Sequence, residues 1–203
     1  VDGDEVVFPE GYDVLPTRLA VGLDIRLSEP ATRVHWSASG VEVSTDAGTY
    51  AADTAVVTVP IGVLQAPDFT ITPALPEPVA GAIGRLRMNA FEKVFLRFAT
   101  KFWDDGVYAI RHQGPDAVWW HSWYDLTALH GEPTLLTFAA GPAAQETRGW
   151  SEGAVVESVL TQLRRLYGDA VTQPTRVDIT DWQGDPFSHG SYAYMTLGST
   201  TDD

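Results

Sequence analysis

One lysine and two clusters of aromatic rings hold most of the chemistry this sequence offers. Lys93 lies in "AFEKVFLRF", residues 90–98. A period of two puts Phe91, Lys93, Phe95 and Arg97 on one face of a strand, with Val94, Leu96 and Phe98 on the other. An ammonium set between rings and short of water suits proton relay or the holding of a water molecule. The plainer alternative is a lysine whose stem lies along a half-exposed strand while its head stays in solvent. Trp119, Trp120, Trp123 and Tyr124 form the first ring cluster. Trp182, Phe187, Tyr192 and Tyr194 form the second, inside "DWQGDPFSHGSYAYM". Rings fill cores more often than they wall pockets. In the second cluster, however, Gly184, Pro186, Gly190 and Ser191 separate them, and backbone and rings together can approach a planar ligand. Aromatic walls also attract a cationic amine.

Other catalytic signatures are missing from the sequence. It has no G-x-G-x-x-G, no P-loop and no G-x-S-x-G elbow. Its histidines (His35, His112, His121, His130, His189) have no metal-ligand spacing, so no metal is expected. The absence of cysteine excludes disulfides and a catalytic thiol.

These residues need a scaffold, and the pattern describes one. "GYDVLPTRLAVGL" reads as a short helix closed by Gly22. Strands are expected at "DIRL", at "TRVHWSA" and "VEVST" around the Ser39-Gly40 turn, after the next turn in "DAGTYAA", and at "TAVVTVP". The last is a β-branched run, as in a strand buried on both faces. Residues 65–78 are proline-rich and read as a loop, followed by a moderate helix in "PVAGAIGRLRM". "AFEKVFLRF" and "TLLTFAAG" read as strands, and "VYAIRHQGPDAVWWHSWY" as a hairpin about Gly114-Pro115. "SEGAVVESVLTQLRRLYG" is the strongest helix, capped by Ser151 and stopped by Gly168, with Val155, Val159, Leu163 and Leu166 on one stripe. "TRVDITDW" is a final strand. The irregular mixture predicts an α+β fold.

The chain has 203 residues, and 27 acids against 13 bases give a formal charge of −14. A nucleic-acid partner does not fit that balance, whereas an acidic field attracts cationic ligands. No apolar run is long enough to span a membrane, and "VDGDEVVFPEGY" is no secretory leader, so the expected location is cytoplasmic.

Several segments together resemble the flavin-containing amine oxidases, a family that includes polyamine and monoamine oxidases. They are "VVFPEGYDVLPTRLAVGLDIRLSEPATRVHW", "AVVTVPIGVLQ", "PALPEPVAGAIGRLRMNAFEKVFLRFATKFW" and "DWQGDPFSHGSYAYMTLGSTTDD". The resemblance implies FAD as cofactor, a small-molecule amine as substrate and O2 as the final electron acceptor, with hydride transfer to flavin followed by release of H2O2. It implies that Lys93 holds a water at the flavin, that the backbone at Val34 meets the adenine, and that Trp182 walls the flavin. It implies that Tyr192, with Phe187 nearby, faces the substrate amine.

The resemblance also implies an internal fragment. No glycine-rich phosphate turn occurs, and the expected organisation is a substrate-domain entry segment (1–24), a β-rich part of the FAD-binding domain (25–64), a substrate-binding domain of mixed sheet flanked by helices (65–185) and a return segment toward the FAD site (186–203). Such a fragment is expected to be inactive alone, and apolar surface exposed at its cut favours a homodimer. The alternative is a stand-alone, non-catalytic binding module for amines or other cations.

Overall fold

A computed structural model describes residues 8–115, 117 and 119–203. Two larger sheets and one small one hold the chain together, and the site sits on the second. The first sheet joins β1 (Ala31–Ser37), β2 (Gly40–Thr45), β3 (Gly48–Ala52) and β4 (Thr70–Thr72) in the order β3-β2-β1-β4. β1 to β3 form an antiparallel meander, and β4 runs parallel to β1. Val34, Val41 and Phe69 form its small core. A short helix, α1 (Val14–Leu19), precedes it, and Gly22 beyond that helix has φ +82°.

Two short helices, α2 (Ile61–Leu64) and α3 (Glu77–Arg85), lead to β5 (Leu86–Met88). β6 (Phe91–Arg97), β7 (Ala109–Arg111), β8 (Ser122–Asp125), β9 (Thr134–Ala140) and β10 (Arg176–Ile179) then make the second sheet, ordered β10-β6-β9-β8-β7 and antiparallel throughout. Two further short helices, α4 (Thr127–His130) and α5 (Pro142–Thr147), flank β9, and α6 (Glu152–Tyr167) follows. β11 (Ala193–Met195) pairs with β5.

Burial along β6 alternates at every residue, with Val94, Leu96 and Phe98 inside. They pack with Trp120, Trp123, Leu135 and the buried stripe of α6 into the main core. Ser151 caps α6 as its sequence predicts, its side chain accepting from the Ala154 amide at 3.2 Å. The stripe differs at its end: Leu160 is buried, while Leu166 is exposed. Trp120 and Trp123 are core residues, so the first ring cluster largely fills the interior.

Three expected elements differ. "DIRL" and "TAVVTVP" form no strand, and Val56 is 89% exposed. An extended run joins a sheet only where a neighbour takes its amides and carbonyls, and among the described residues neither run has one. The segment 65–78 is not all loop, because the backbone of β4 finds an open edge on β1.

Asp125 locks the start of α4 to the main core. Thr127 donates to it from both its amide and its hydroxyl, Trp103 donates from Nε1 at 2.8 Å, and Lys101 pairs at 3.1 Å. Burial opposes the charge, but the hydrogen bonds from Thr127, Trp103 and Lys101 outweigh it, and the pKa falls from 3.8 to about 2. A depressed folded-state pKa means that the unfolded chain binds the proton more readily. The stabilisation is therefore complete above pH 3.8 and is lost as pH falls through about 2. Urea midpoints between pH 5 and pH 2 are expected to fall less steeply in Asp125→Asn than in the unsubstituted chain. Equal slopes would remove Asp125 from the acid response.

Candidate functional site

The face of the second sheet that bears Lys93 is built from rings. Lys93 pairs across the sheet with Phe138, and Phe91 and Phe95 flank it on its own strand. Phe91 stacks on Phe138 with centroids 4.8 Å apart, and Phe138 stacks on Tyr124 at 6.1 Å. Tyr124 meets Tyr108 edge-on at 5.6 Å, and Tyr192 meets Phe91 edge-on at 5.4 Å. A continuous row of five rings thus runs from Tyr192 to Tyr108. Lys93 is half-buried beside it, and its ammonium has no hydrogen-bond or ion-pair partner among the described residues.

The segment 181–195 is laid against the start of β6 by its own backbone. The Asn89 amide donates to the Tyr192 carbonyl at 2.7 Å, and the Ser191 amide donates to the Asn89 carbonyl at 3.0 Å. The Ser191 hydroxyl accepts from the Phe91 amide at 2.8 Å and donates to the Phe91 carbonyl at 2.7 Å. These bonds place the Tyr192 ring on Phe91. Gly190 makes the approach possible: its φ is +143°, and a Cβ there would run into the Cβ of Met88 and the carbonyl oxygen of Asn89. The rings of the segment stay outward on both sides of Gly190: Trp182 is 45%, Phe187 62% and Tyr192 54% exposed.

The structure gathers some of the expected site residues and separates others. Lys93 and Tyr192 share the ring face, and Trp182 is tied to Glu92, next to Lys93. Phe187 stands further out, with no ring partner among the described residues. Val34 belongs to the first sheet, where it borders a cavity of about 660 Å³ with Trp36, Val41, Leu64 and Val79. Phe138 and Glu92 were not singled out from sequence. Strand alternation gives the signal for Glu92: it sets a carboxylate on the core-facing side of β6.

Residues 2–203 match the family described as "Flavin containing amine oxidoreductase". The chain belongs to the flavin-containing amine oxidoreductases. It is 35% identical over 201 residues to polyamine oxidase 4 of Oryza sativa subsp. japonica, covering 98% of this chain and 41% of that protein. It is 32% identical to lysine-specific histone demethylase 1 homolog 1 of the same plant, covering 99% of this chain and 24% of the relative. The fold is that of a putrescine oxidase solved with putrescine bound, with a TM-score of 0.74 at 24% identity over 91% of this chain and 41% of that one. The chain thus spans less than half the length of these relatives. It has the expected α+β fold, and among its described residues no helix is long and apolar enough to cross a membrane.

Proposed function

We propose that this chain is the substrate-binding portion of an FAD-dependent amine oxidase. The observation that supports this best is the unpartnered Lys93 ammonium beside a row of rings that ends on Tyr192, within a chain of this family. The residues present fit one part of the cofactor. Exposed planar rings at Trp182, Phe187 and Tyr192 suit a flat flavin, whereas the sequence has no glycine-rich turn for its pyrophosphate. When bound, the flavin would take up the hydride from the carbon beside the amine nitrogen and pass its electrons to O2, giving H2O2.

The protein's part is then to bind and orient. The row of rings that starts at Tyr192 would attract an ammonium by cation–π contact, worth about 0.5–2 kcal/mol. Lys93 would hold a water molecule on this face, Trp182 would form a wall of the flavin site, and Tyr192 with Phe187 would border the amine. The backbone near Val34 would serve the adenine end, and the exposed "TAVVTVP" run would join the remainder of the FAD-binding domain. The substrate class follows the polyamine oxidase relative: a small aliphatic amine.

On this reading the isolated chain is inactive. After incubation with FAD and desalting it is expected to keep no visible flavin band and to form no amine-dependent peroxide, while the full-length oxidase does both. Robust turnover by the 203-residue chain alone would overturn the proposal. Saturable binding of spermidine without flavin, together with a full-length protein that turns over no amine, would instead favour a non-catalytic amine-binding module.

A further inference from the structure

Glu92 occupies a position that packing alone assigns to an apolar side chain. It lies on the core-facing side of β6 with Val94 and Leu96, and it is 5% exposed. Burying a carboxylate is costly unless its oxygens are fully engaged. One oxygen accepts from the Thr180 hydroxyl at 2.7 Å and from the Trp182 amide at 3.1 Å. The other accepts from the Gln183 amide at 3.0 Å and from its side-chain Nε2 at 3.3 Å. All four donors lie within residues 180–183.

The same turn is fastened to Lys93 through the backbone. The Lys93 amide donates to the Thr180 hydroxyl at 2.8 Å, and the Thr180 amide donates to the Lys93 carbonyl at 3.0 Å. Thr180 therefore accepts from residue 93 and donates to Glu92. The Gln183 side chain also reaches the Ala144 carbonyl on α5 at 3.0 Å. A carboxylate that only stabilised the fold could draw its donors from anywhere in the core. This one spends its full accepting capacity on the single turn that presents Trp182.

We propose that Glu92 is a positioning residue: its buried carboxylate holds the 180–183 turn, and with it the Trp182 ring, in fixed register with Lys93. This role rests on the functional reading of the Lys93 face given above. The residue's chemistry makes the assignment sharp. An amide in its place has one oxygen, and its NH2 must face one of the two donor pairs. Each pair contains a backbone N–H, so either orientation of a glutamine sets donor against donor. Aspartate keeps the charge but falls short by one methylene.

Two measurements test this. In the chain itself, Glu92→Gln is expected to keep the second sheet folded while amide exchange at Trp182 and Gln183 speeds up about tenfold or more. In the full-length, FAD-loaded oxidase, kcat is expected to fall about tenfold to a hundredfold with KM held within about threefold, and the flavin absorption envelope to shift. Glu92→Asp is expected to recover part of both effects. Unchanged exchange at residues 182–183, or unchanged kcat and flavin spectrum, would overturn the proposal. If Glu92→Gln does not fold, a folded Glu92→Asp variant with wild-type exchange and kcat does so equally. A wild-type oxidase without flavin or amine turnover would sink the functional reading of the site, and the catalytic role of Glu92 with it. The exchange measurement reports on the clamp in either case.

Discussion

Lys93→Met in the full-length, FAD-loaded oxidase is expected to lower kcat by about a hundredfold or more, the range lost when a group that handles a proton in the transition state is removed. Methionine keeps the length and the apolar stem of lysine and packs well against rings. It deletes only the charge and the donors. The ammonium makes no ion pair or hydrogen bond among the described residues, so little of the fold depends on it. The expected change in stability is within about 0.5 kcal/mol, as for a substitution that breaks no network. Thermal midpoint and flavin content should therefore stay near wild type while turnover collapses. The loss of turnover is what discriminates, because replacing a lysine that merely lies along a half-exposed strand would leave turnover as well as stability near wild type. Turnover unchanged in a folded, flavin-bearing Lys93→Met protein would return Lys93 to that plainer reading.

The part of the site legible in the sequence was the part that repeats with the strand. Period-two alternation over residues 90–98 placed Lys93 with Phe91 and Phe95, and burial along β6 follows that pattern. It could not show Phe138, because the register of β9 against β6 is set by pairing between segments some forty residues apart, not by local pattern. Nor did it show that the two ring clusters have different fates. Trp120 and Trp123 sit on the core side of the second sheet, while Trp182, Phe187 and Tyr192 stay exposed on turns. Composition is alike in both; only the packing of α6 and the sheet separates them. The missing strands fail for the opposite reason. "TAVVTVP" carries every local preference for a strand, yet among the described residues it has no neighbour to complete a ladder, so the expected strand does not form. Glu92 is the exception that the pattern does carry: a carboxylate in phase with Val94 and Leu96 demands buried donors, and the structure supplies them from residues 180–183.

Gly190→Ala is expected to release the return segment from β6, destabilising the chain by on the order of 3 kcal/mol through strain and overpacking combined. At φ +143° the backbone of residue 190 is one that L side chains rarely adopt. Space is lacking as well: a Cβ there would lie 2.7 Å from the Cβ of Met88 and 2.8 Å from the carbonyl oxygen of Asn89. The carbonyl cannot yield, because Asn89 accepts from Ser191 and donates to Tyr192, the two bonds that seat the segment. His189, also left-handed at φ +54°, sharpens the reversal that brings Ser191 back to β6. Relief of the clash therefore requires the chain after Gly190 to swing away, which takes the Tyr192 ring off Phe91 and unpairs β11 from β5. The core under α6 makes none of these contacts, so the expected result is local: amide protection lost over residues 189–195 and kept in α6, with KM for the amine raised more than kcat is lowered. A folded Gly190→Ala chain with full protection at Ser191 and Tyr192 would show that the close approach is not what holds the ring in place.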